Sequence, residues 1–182
     1  MKLVIGNYNY SSWSMRAWFA LRLFDIPFEA HVVPLFRPET AAELRRWSPT
    51  GLAPVLIDGD LAIWESTAII DYAAEKFPDR AVWPRDAAAR AIARSVSAEM
   101  HAGLPALRTV IPMNVRRRAP TPYAAPPDVA ADLDRVAEIW SDCRARFGAE
   151  GAWLFGAPSA ADAMYAPLVA RARTYGLSMD EI

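Results

Sequence analysis

The chain has 182 residues, enough for one ordinary domain or two small ones. Hydrophobic residues make up 53% and charged residues 23% of it, a globular composition that excludes an intrinsically disordered protein. Its 20 Lys and Arg balance 21 Asp and Glu, so nucleic acid is not an expected partner. No apolar run reaches the roughly 20 residues that span a bilayer, and no signal-peptide core follows Met1. The chain has one cysteine, Cys143, which cannot form a disulfide framework. We expect a cytoplasmic protein with no membrane partner and no metal.

The first 77 residues alternate between strand and helix patterns. Asp58-Gly59-Asp60 has the chemistry of a tight hairpin turn, and Ser66 has the position of a helix cap. In chain order we predict strand 2–6, helix 14–24, strand 28–33, helix 40–47, strands 54–57 and 61–63, and helix 66–76.

After residue 77 the strand patterns stop. Residues 77–84 contain two prolines and no clear period, which indicates a linker. Helical patterns then cover 86–117, with kinks expected at Pro105 and Pro112, followed by a proline-rich loop at 119–127 and helices at 128–147 and 159–175. Ser159 and Asp162 have the spacing of a capping box, and Gly176 is expected to end the last helix. The sequence thus predicts a small α/β domain followed by an all-helical domain.

Hydroxyl side chains mark the junction between the first strand and the first helix. Ser11, Ser12 and Ser14 lie where a helix N-terminus presents unpaired N–H groups and partial positive charge, which favours an anion. The other interpretation is that Ser12 or Ser14 caps the helix. Because no His–Asp pair is placed to activate it, Ser11 is more credible as a hydrogen-bond donor than as a nucleophile.

Two further pairs of candidate residues lie at the start of a predicted strand and at the start of a predicted helix. Pro54 opens a short strand, where it is either a cis-proline that turns the Ala53 backbone outward or an ordinary turn proline. Glu65 and Ser66 start a helix, where a carboxylate and a hydroxyl match the ammonium and carboxylate of an amino-acid-like ligand. The alternative for this pair is a capped helix with a favourable acid in its first turn.

The order and spacing of these segments resemble the glutathione transferase superfamily. SSWSMRAW (11–18) is similar to the serine-type helix start of the zeta, theta and related bacterial classes. LAPVL (52–56) and WESTAIIDYAAEKFPD (64–79) are similar to the proline-led strand and the glutathione-binding helix of that superfamily. Residues 99–118 and 159–167 resemble its fourth and sixth helices, so the resemblance covers the whole chain.

The resemblance implies a thioredoxin-like glutathione-binding domain at 1–78, a linker at 79–85 and an all-helical domain at 86–182. It also implies glutathione as co-substrate, a small hydrophobic electrophile, and a homodimer. By motif position Ser11 is the catalytic serine, with Ser12 as the alternative. Pro54 matches the cis-proline, Ala53 the residue whose backbone pairs with glutathione, and Glu65 with Ser66 the γ-glutamyl anchors.

Six residues are candidates for the electrophile pocket. Trp13, Phe36 and Met113 have only their family position in favour of this role, and a packing role competes for each. His101, Leu104 and Arg108 recur about one turn apart along the predicted long helix, where a surface or subunit-contact role competes for His101.

The chain also departs from the family pattern. Trp13 stands where the zeta class has cysteine, so zeta-type isomerase activity is not implied. Family members continue for some 30 residues past the position of Ile182, and we expect the second domain to lack its last helices. The alternative function is a glutathione transferase fold kept as a non-enzymatic binding or scaffold module. A glutathione-dependent reductase is disfavoured because Cys143, the chain's one cysteine, falls in a predicted helix of the second domain.

Overall fold

The computed structural model describes residues 1–119, 123–149 and 151–177. These residues divide after Val82 into two compact units. The division falls inside the interval 79–85 that the sequence analysis treats as linker. The first unit contains β1 (Lys2–Ile5), α1 (Ser12–Leu23), β2 (Glu29–Val32), α2 (Thr40–Arg45), β3 (Val55–Asp58), β4 (Leu61–Trp64), α3 (Ser66–Lys76) and a 3-10 turn (Pro78–Arg80).

The four strands form one mixed sheet in the order β2-β1-β3-β4. Strand β2 runs parallel to β1, with Val32 opposite Ile5. Strand β3 runs antiparallel to both of its neighbours, with Val55 opposite Val4 on one side and Trp64 on the other. The ends of β1, β2 and β4 and the start of β3 therefore share one edge of the sheet.

The two faces of the sheet are covered by different helices. Val4 and Val55 pack with Leu44 of α2 on one face. Leu3, Ile5 and Leu56 alternate with these residues, so they point to the other face, where α1 contacts β1, α3 contacts β3, and the two helices contact each other. Leu3 and Leu56 are completely buried. The α/β unit predicted from the sequence is confirmed.

Helix starts in this unit differ from the prediction. Helix α1 begins at Ser12 rather than residue 14, because Ser11 supplies the cap. Ser66 does not cap α3, since Glu65 takes the N-cap position and Ser66 is the first helical residue. The hairpin is as predicted: Asp58 pairs with Leu61 around a two-residue turn.

The second unit contains the helices α4 (Ala87–Ala102), α5 (Pro105–Val110), α6 (Pro127–Phe147) and α7 (Ala160–Tyr175). The prediction of one kinked helix over 86–117 is wrong, because α4 ends at Gly103. The Gly103 N–H donates to the Glu99 carbonyl at 2.8 Å, and a Cβ on Gly103 would lie 2.8 Å from that oxygen. Pro105 then opens α5, the position in a helix where its missing N–H costs least. Of the predicted loop at 119–127, residues 120–122 lie outside the described part.

Side chains of α7 hold the neighbouring backbone in this unit. Tyr165 donates to the Val96 carbonyl of α4 at 3.0 Å. Arg171, 4% exposed, donates to the Ile111 carbonyl at 2.9 Å, and Thr174 and Tyr175 donate to the carbonyls of Asn114 and Pro112. The non-helical segment that follows α5 is therefore fixed by hydrogen bonds from one helix.

The predicted capping box of α7 is confirmed. One Asp162 carboxylate oxygen accepts from the Ser159 N–H and from the Ser159 hydroxyl, both at 2.8 Å, and the other accepts from the Leu154 N–H at 3.1 Å. Burial raises the pKa of Asp162 above its ordinary value, and these hydrogen bonds offset only part of that rise. The carboxylate thus ties the preceding loop to the helix start.

Cys143 lies in α6 and is 1% exposed. Burial raises the pKa of its thiol to about 11, with the Asp142 carboxylate adding to the effect. In the described ranges, no helix combines the length and the low polarity needed to cross a bilayer.

We expect Asp162→Ala to lower the free energy of unfolding by about 2 kcal/mol, because it leaves buried donors unpaired at a helix start. Urea denaturation of the full chain measures this. The matched control is Asp142→Ala, which removes an exposed (i, i+4) ion pair with Arg146 and should change stability by about 0.5 kcal/mol or less. Equal effects of the two substitutions would contradict the structural role of Asp162.

Candidate functional site at one edge of the sheet

Ser11 forms the junction between β1 and α1. It is the N-cap of α1, where its hydroxyl oxygen accepts from the Ser14 N–H at 3.3 Å. The same hydroxyl donates to the Ser14 Oγ at 2.8 Å. The Ser14 Oγ is buried and also accepts from the Gly6 N–H at 3.0 Å, which fastens the helix start to the end of β1. The interpretation that Ser12 or Ser14 caps the helix is wrong.

Ser12 differs from Ser11 in its hydrogen bonding. It is the first residue of α1 and is half-buried. Its hydroxyl makes no hydrogen bond within the ranges that the structure covers. The Ser12 hydroxyl is therefore available to a ligand, whereas the Ser11 hydroxyl must give up its bond to Ser14 before it can donate elsewhere.

Ala53 and Pro54 lie at the start of β3. The peptide bond between them is cis, as the resemblance implies for Pro54. Pro54 is buried, and Ala53 packs in part against the cluster of Val4, Leu44 and Val55. The Ala53 backbone therefore sits beside the end of β1, since Val55 is opposite Val4.

Ser66 starts α3 with its side chain completely buried. Within the described part of the chain, the Ser66 Oγ has no hydrogen-bond partner, and no side chain caps the N-terminus of α3. Glu65 before it is exposed and adopts φ 75°, a left-handed conformation that is unfavourable for a residue with a side chain. An unsatisfied buried hydroxyl at the positive end of a helix dipole favours a bound anion.

The sheet register brings these candidates together. Ser11 and Ser12 follow β1, Ala53 and Pro54 precede β3, and Glu65 and Ser66 follow β4. By the pairing of Val4 with Val55 and of Val55 with Trp64, all three segments lie at the same edge. The structure thus assembles at one edge the residues that the sequence analysis selected from three separate segments.

Two pocket candidates belong to this unit. Trp13 is half-buried, and the Arg16 guanidinium carbon lies 4.4 Å from its ring centroid. Arg16 is 1% exposed, and the sequence analysis missed it although its (i, i+3) spacing from Trp13 is readable. Phe36, in contrast, is 86% exposed, and its ring meets the Tyr10 ring edge-on at 6.2 Å.

The other four pocket candidates belong to the second unit. Met113 is 3% exposed there, which favours the packing role, and Leu104, at 5% exposed, is buried as well. His101 is half-buried in the last turn of α4. Arg108 of α5 donates to the carbonyls of His101 and Met100, and burial lowers the pKa of its guanidinium. Arg108 thus bridges the end of α4 and α5 across Gly103.

Residues 10–76 match the family model of the glutathione S-transferase N-terminal domain. The first unit of the chain is thus similar to the N-terminal domain of glutathione S-transferases. It is 38% identical over 92 residues to glutathione S-transferase 1 of Dianthus caryophyllus, a match that covers 50% of this chain and 42% of that protein. It is 35% identical over 108 residues to a probable maleylacetoacetate isomerase of Vibrio cholerae, covering 56% and 50% respectively. The chain thus spans about half the length of these curated relatives.

The fold of the chain agrees with that of solved structures. A bacterial zeta-class glutathione S-transferase, maleyl pyruvate isomerase, superposes with a TM-score of 0.70 and 24% identity. The superposition covers 99% of this chain and 86% of that one. A thioredoxin-like N-terminal domain followed by a helical part is therefore the fold class, as the sequence predicts.

The two candidate serines should differ in their effect on stability. We expect Ser11→Ala to lower the free energy of unfolding by about 1 kcal/mol, because it removes the cap of α1. Ser12→Ala should change it by no more than about 0.5 kcal/mol, since alanine is the best helix former and no bond is lost. Thermal and urea denaturation of both variants measure this. A larger loss for Ser12→Ala would contradict the assignment of Ser11 as the cap.

Proposed function

We propose that this protein is a glutathione transferase that activates the thiol of glutathione for attack on a small hydrophobic electrophile. The observation that carries the proposal is the buried Ser66 hydroxyl at the start of α3, which has no hydrogen-bond partner among the described residues. The turn that carries Ser11 and Ser12, here called the serine turn, lies at the same edge of the sheet. On the resemblance alone, we extend the proposal to a homodimer.

Glutathione has groups that match the chemistry of this edge. Its γ-glutamyl carboxylate suits the Ser66 hydroxyl at the N-terminus of α3, where the helix dipole favours negative charge. Its γ-glutamyl ammonium suits the exposed Glu65 carboxylate. Its cysteinyl backbone suits the polar backbone groups of Ala53 at the start of β3. With these three groups bound, the thiol would lie at the serine turn.

The energy needed to ionise the thiol is modest. A thiol with a pKa near 8.5 is only about 3% ionised at pH 7, and lowering its pKa by about two units costs about 2.7 kcal/mol. A hydrogen bond to a charged group contributes about 1.5 to 3 kcal/mol, and a helix N-terminus about 0.3 to 1. One serine hydroxyl at the start of α1 is therefore sufficient, and no basic side chain is required.

The choice between Ser11 and Ser12 depends on their present bonds. Ser11 holds the motif position, but its proton is given to Ser14 at 2.8 Å. If Ser11 turns toward a thiolate, Ser14 keeps the Gly6 N–H as a donor, so the helix start remains attached to β1. Ser12 needs no such exchange, and we keep it as the alternative donor.

The second candidate function is a glutathione-binding module without transfer activity. The bond from Ser11 to Ser14 favours it, because a hydroxyl used as a structural cap is not available to a thiolate. Isomerisation is not part of the proposal, although relatives carry that name, because Trp13 stands where the zeta class has cysteine. Measurements of binding and of pH dependence separate the two candidates.

We expect Ser66→Ala to weaken glutathione binding by tenfold or more, which isothermal titration calorimetry measures. Without glutathione the same variant should be as stable as the parent or more stable, since the lost hydroxyl is buried and unsatisfied. Glu65→Gln should also weaken binding, whereas Asp60→Asn in the hairpin turn at the opposite edge should not. Unchanged affinity in both Ser66→Ala and Glu65→Gln would refute the γ-glutamyl site.

We expect loss of the thiolate donor to raise the pKa of bound glutathione by about one to two units. The activity of that variant toward an aryl halide should fall at pH 7 and recover as the pH is raised, because the thiolate then forms without the donor. The pH dependence of kcat for Ser11→Ala and Ser12→Ala identifies which serine is responsible. A shift in neither variant, with glutathione still bound, would favour the binding module.

A further inference from the structure

Three side chains join the β3–β4 hairpin to the second half of α3. The Tyr72 hydroxyl donates to the Oδ2 atom of Asp58 at 2.7 Å, and the Lys76 ammonium donates to the same oxygen. The Lys76 ammonium also lies 5.8 Å from the centroid of the Tyr72 ring. We call these three residues the hairpin triad, because each of them interacts with the other two.

The hairpin triad has a defined state of ionisation at neutral pH. Hydrogen bonds from Lys76 and Tyr72 lower the pKa of the Asp58 carboxyl. The same carboxylate raises the pKa of the Lys76 ammonium and the pKa of the Tyr72 hydroxyl. Asp58 is therefore ionised, and both of its donors keep their protons.

The hairpin triad closes a loop that contains the proposed anion site. Asp58 and Lys76 are 18 residues apart in the chain. Between them lie the hairpin turn, β4, Glu65 and α3, which begins at Ser66. Glu65 has φ 75°, a conformation that a residue with a side chain keeps only where the surrounding structure imposes it. The triad thus fastens the end of α3 to the hairpin that leads into its start.

Apolar packing alone does not fix the rotation of α3 about its own axis. The helix packs through apolar side chains that are at most 1% exposed, namely Ile69, Ile70 and Ala73. Ser66 falls on the same face by helical spacing. Burial of apolar surface is non-directional, whereas hydrogen bonds have a preferred geometry. Tyr72 and Lys76 lie four residues apart on one flank of the buried face, so their bonds to Asp58 define the rotation.

The rotation of α3 decides where the Ser66 hydroxyl points. The helix is continuous over its 11 residues, and its backbone hydrogen bonds keep those residues in a fixed relation to each other. A rotation at Tyr72 and Lys76 therefore also moves Ser66. Because the Ser66 Oγ has no hydrogen-bond partner among the described residues, no bond of its own within that part of the chain corrects its position.

We infer that Asp58, acting through Tyr72 and Lys76, is a positioning residue for the binding of the γ-glutamyl carboxylate at the start of α3. This inference rests on the proposed function, because Ser66 must receive that carboxylate. The three residues of the hairpin triad do not contact glutathione in this scheme. They set the angle at which α3 presents Ser66.

Two tripeptides measure the positioning of Ser66 without requiring turnover. Glutathione carries the γ-glutamyl α-carboxylate, and 4-aminobutyryl-cysteinyl-glycine is the same molecule without it. The ratio of their dissociation constants, measured by calorimetry on the full chain, should favour glutathione by about tenfold or more in the parent protein. That preference should fall about three- to tenfold in Asp58→Ala, because Ser66 is then no longer held at the productive angle. A purely structural defect would weaken the binding of both tripeptides equally and leave the ratio unchanged.

Further variants separate positioning from folding. Asp58→Asn keeps an Oδ acceptor for both donors and should retain most of the preference for glutathione. The double variant Tyr72→Phe, Lys76→Met removes both donors and should lose as much preference as Asp58→Ala, so it tests the inference even where Asp58→Ala does not fold. A loss in Asp58→Asn as large as that in Asp58→Ala would contradict positioning through hydrogen bonds.

Asp60→Ala is the matched control. Asp60 lies in the same hairpin turn and is exposed, but it is not part of the triad. This variant should keep the full preference for glutathione. Removal of a negative charge by itself favours an anionic ligand, so a lower preference in Asp58→Ala is opposite to the effect of net charge.

The outcomes distinguish the inference from the proposed function. An unchanged ratio in both Asp58→Ala and the double variant, or an equal loss in Asp60→Ala, would overturn the positioning role and leave the proposed function standing. A parent protein that binds both tripeptides equally, or that binds neither, would overturn the γ-glutamyl site and the positioning role together.

Discussion

Val55 sets the geometry on which the candidate site depends. It is paired with Val4 on one side and with Trp64 on the other, so it fixes where β1 and β4 end relative to the start of β3. A shift of one residue in either pairing would turn buried valines toward the opposite face and move a site segment along the edge. The apolar packing of Val4, Val55 and Leu44 is thus what keeps the serine turn, the cis-proline and the start of α3 in register.

The two helices that begin at this edge, α1 and α3, differ in how the N–H groups of their first turns are capped. Helix α1 satisfies one of its free N–H groups with its own residue, Ser11, whereas α3 has no side-chain cap and places a buried hydroxyl at its first position. A self-capped helix start is stable without a ligand. A helix start without a side-chain cap and with a buried, unsatisfied hydroxyl is less favourable by itself, so the anion that we propose for this position would stabilise the folded helix.

The sequence was informative where a local pattern alone decides the structure. The bounds of α3 follow from its apolar period and from Phe77-Pro78 at its end, and the capping box of α7 follows from two residues three apart. The break at Gly103 was missed because the apolar stripe continues across it, while the decisive fact is the 2.8 Å approach to the Glu99 carbonyl. The burial of Arg16, which is 1% exposed, is decided by packing that forms only when the chain folds. The fold class was therefore predictable from the sequence, whereas the hydrogen bonds that distinguish Ser11 from Ser12 were not.

The burial of Cys143 has a practical consequence. Its thiol is 1% exposed, with a pKa raised to about 11, so at neutral pH it is almost entirely protonated and shielded from reagents. Because the chain has no second cysteine, a thiol-directed chromophore mixed with the native protein and glutathione would report on the tripeptide sulfur with little background. The protein therefore contributes little thiolate signal of its own at neutral pH, and a bound thiol can be titrated directly.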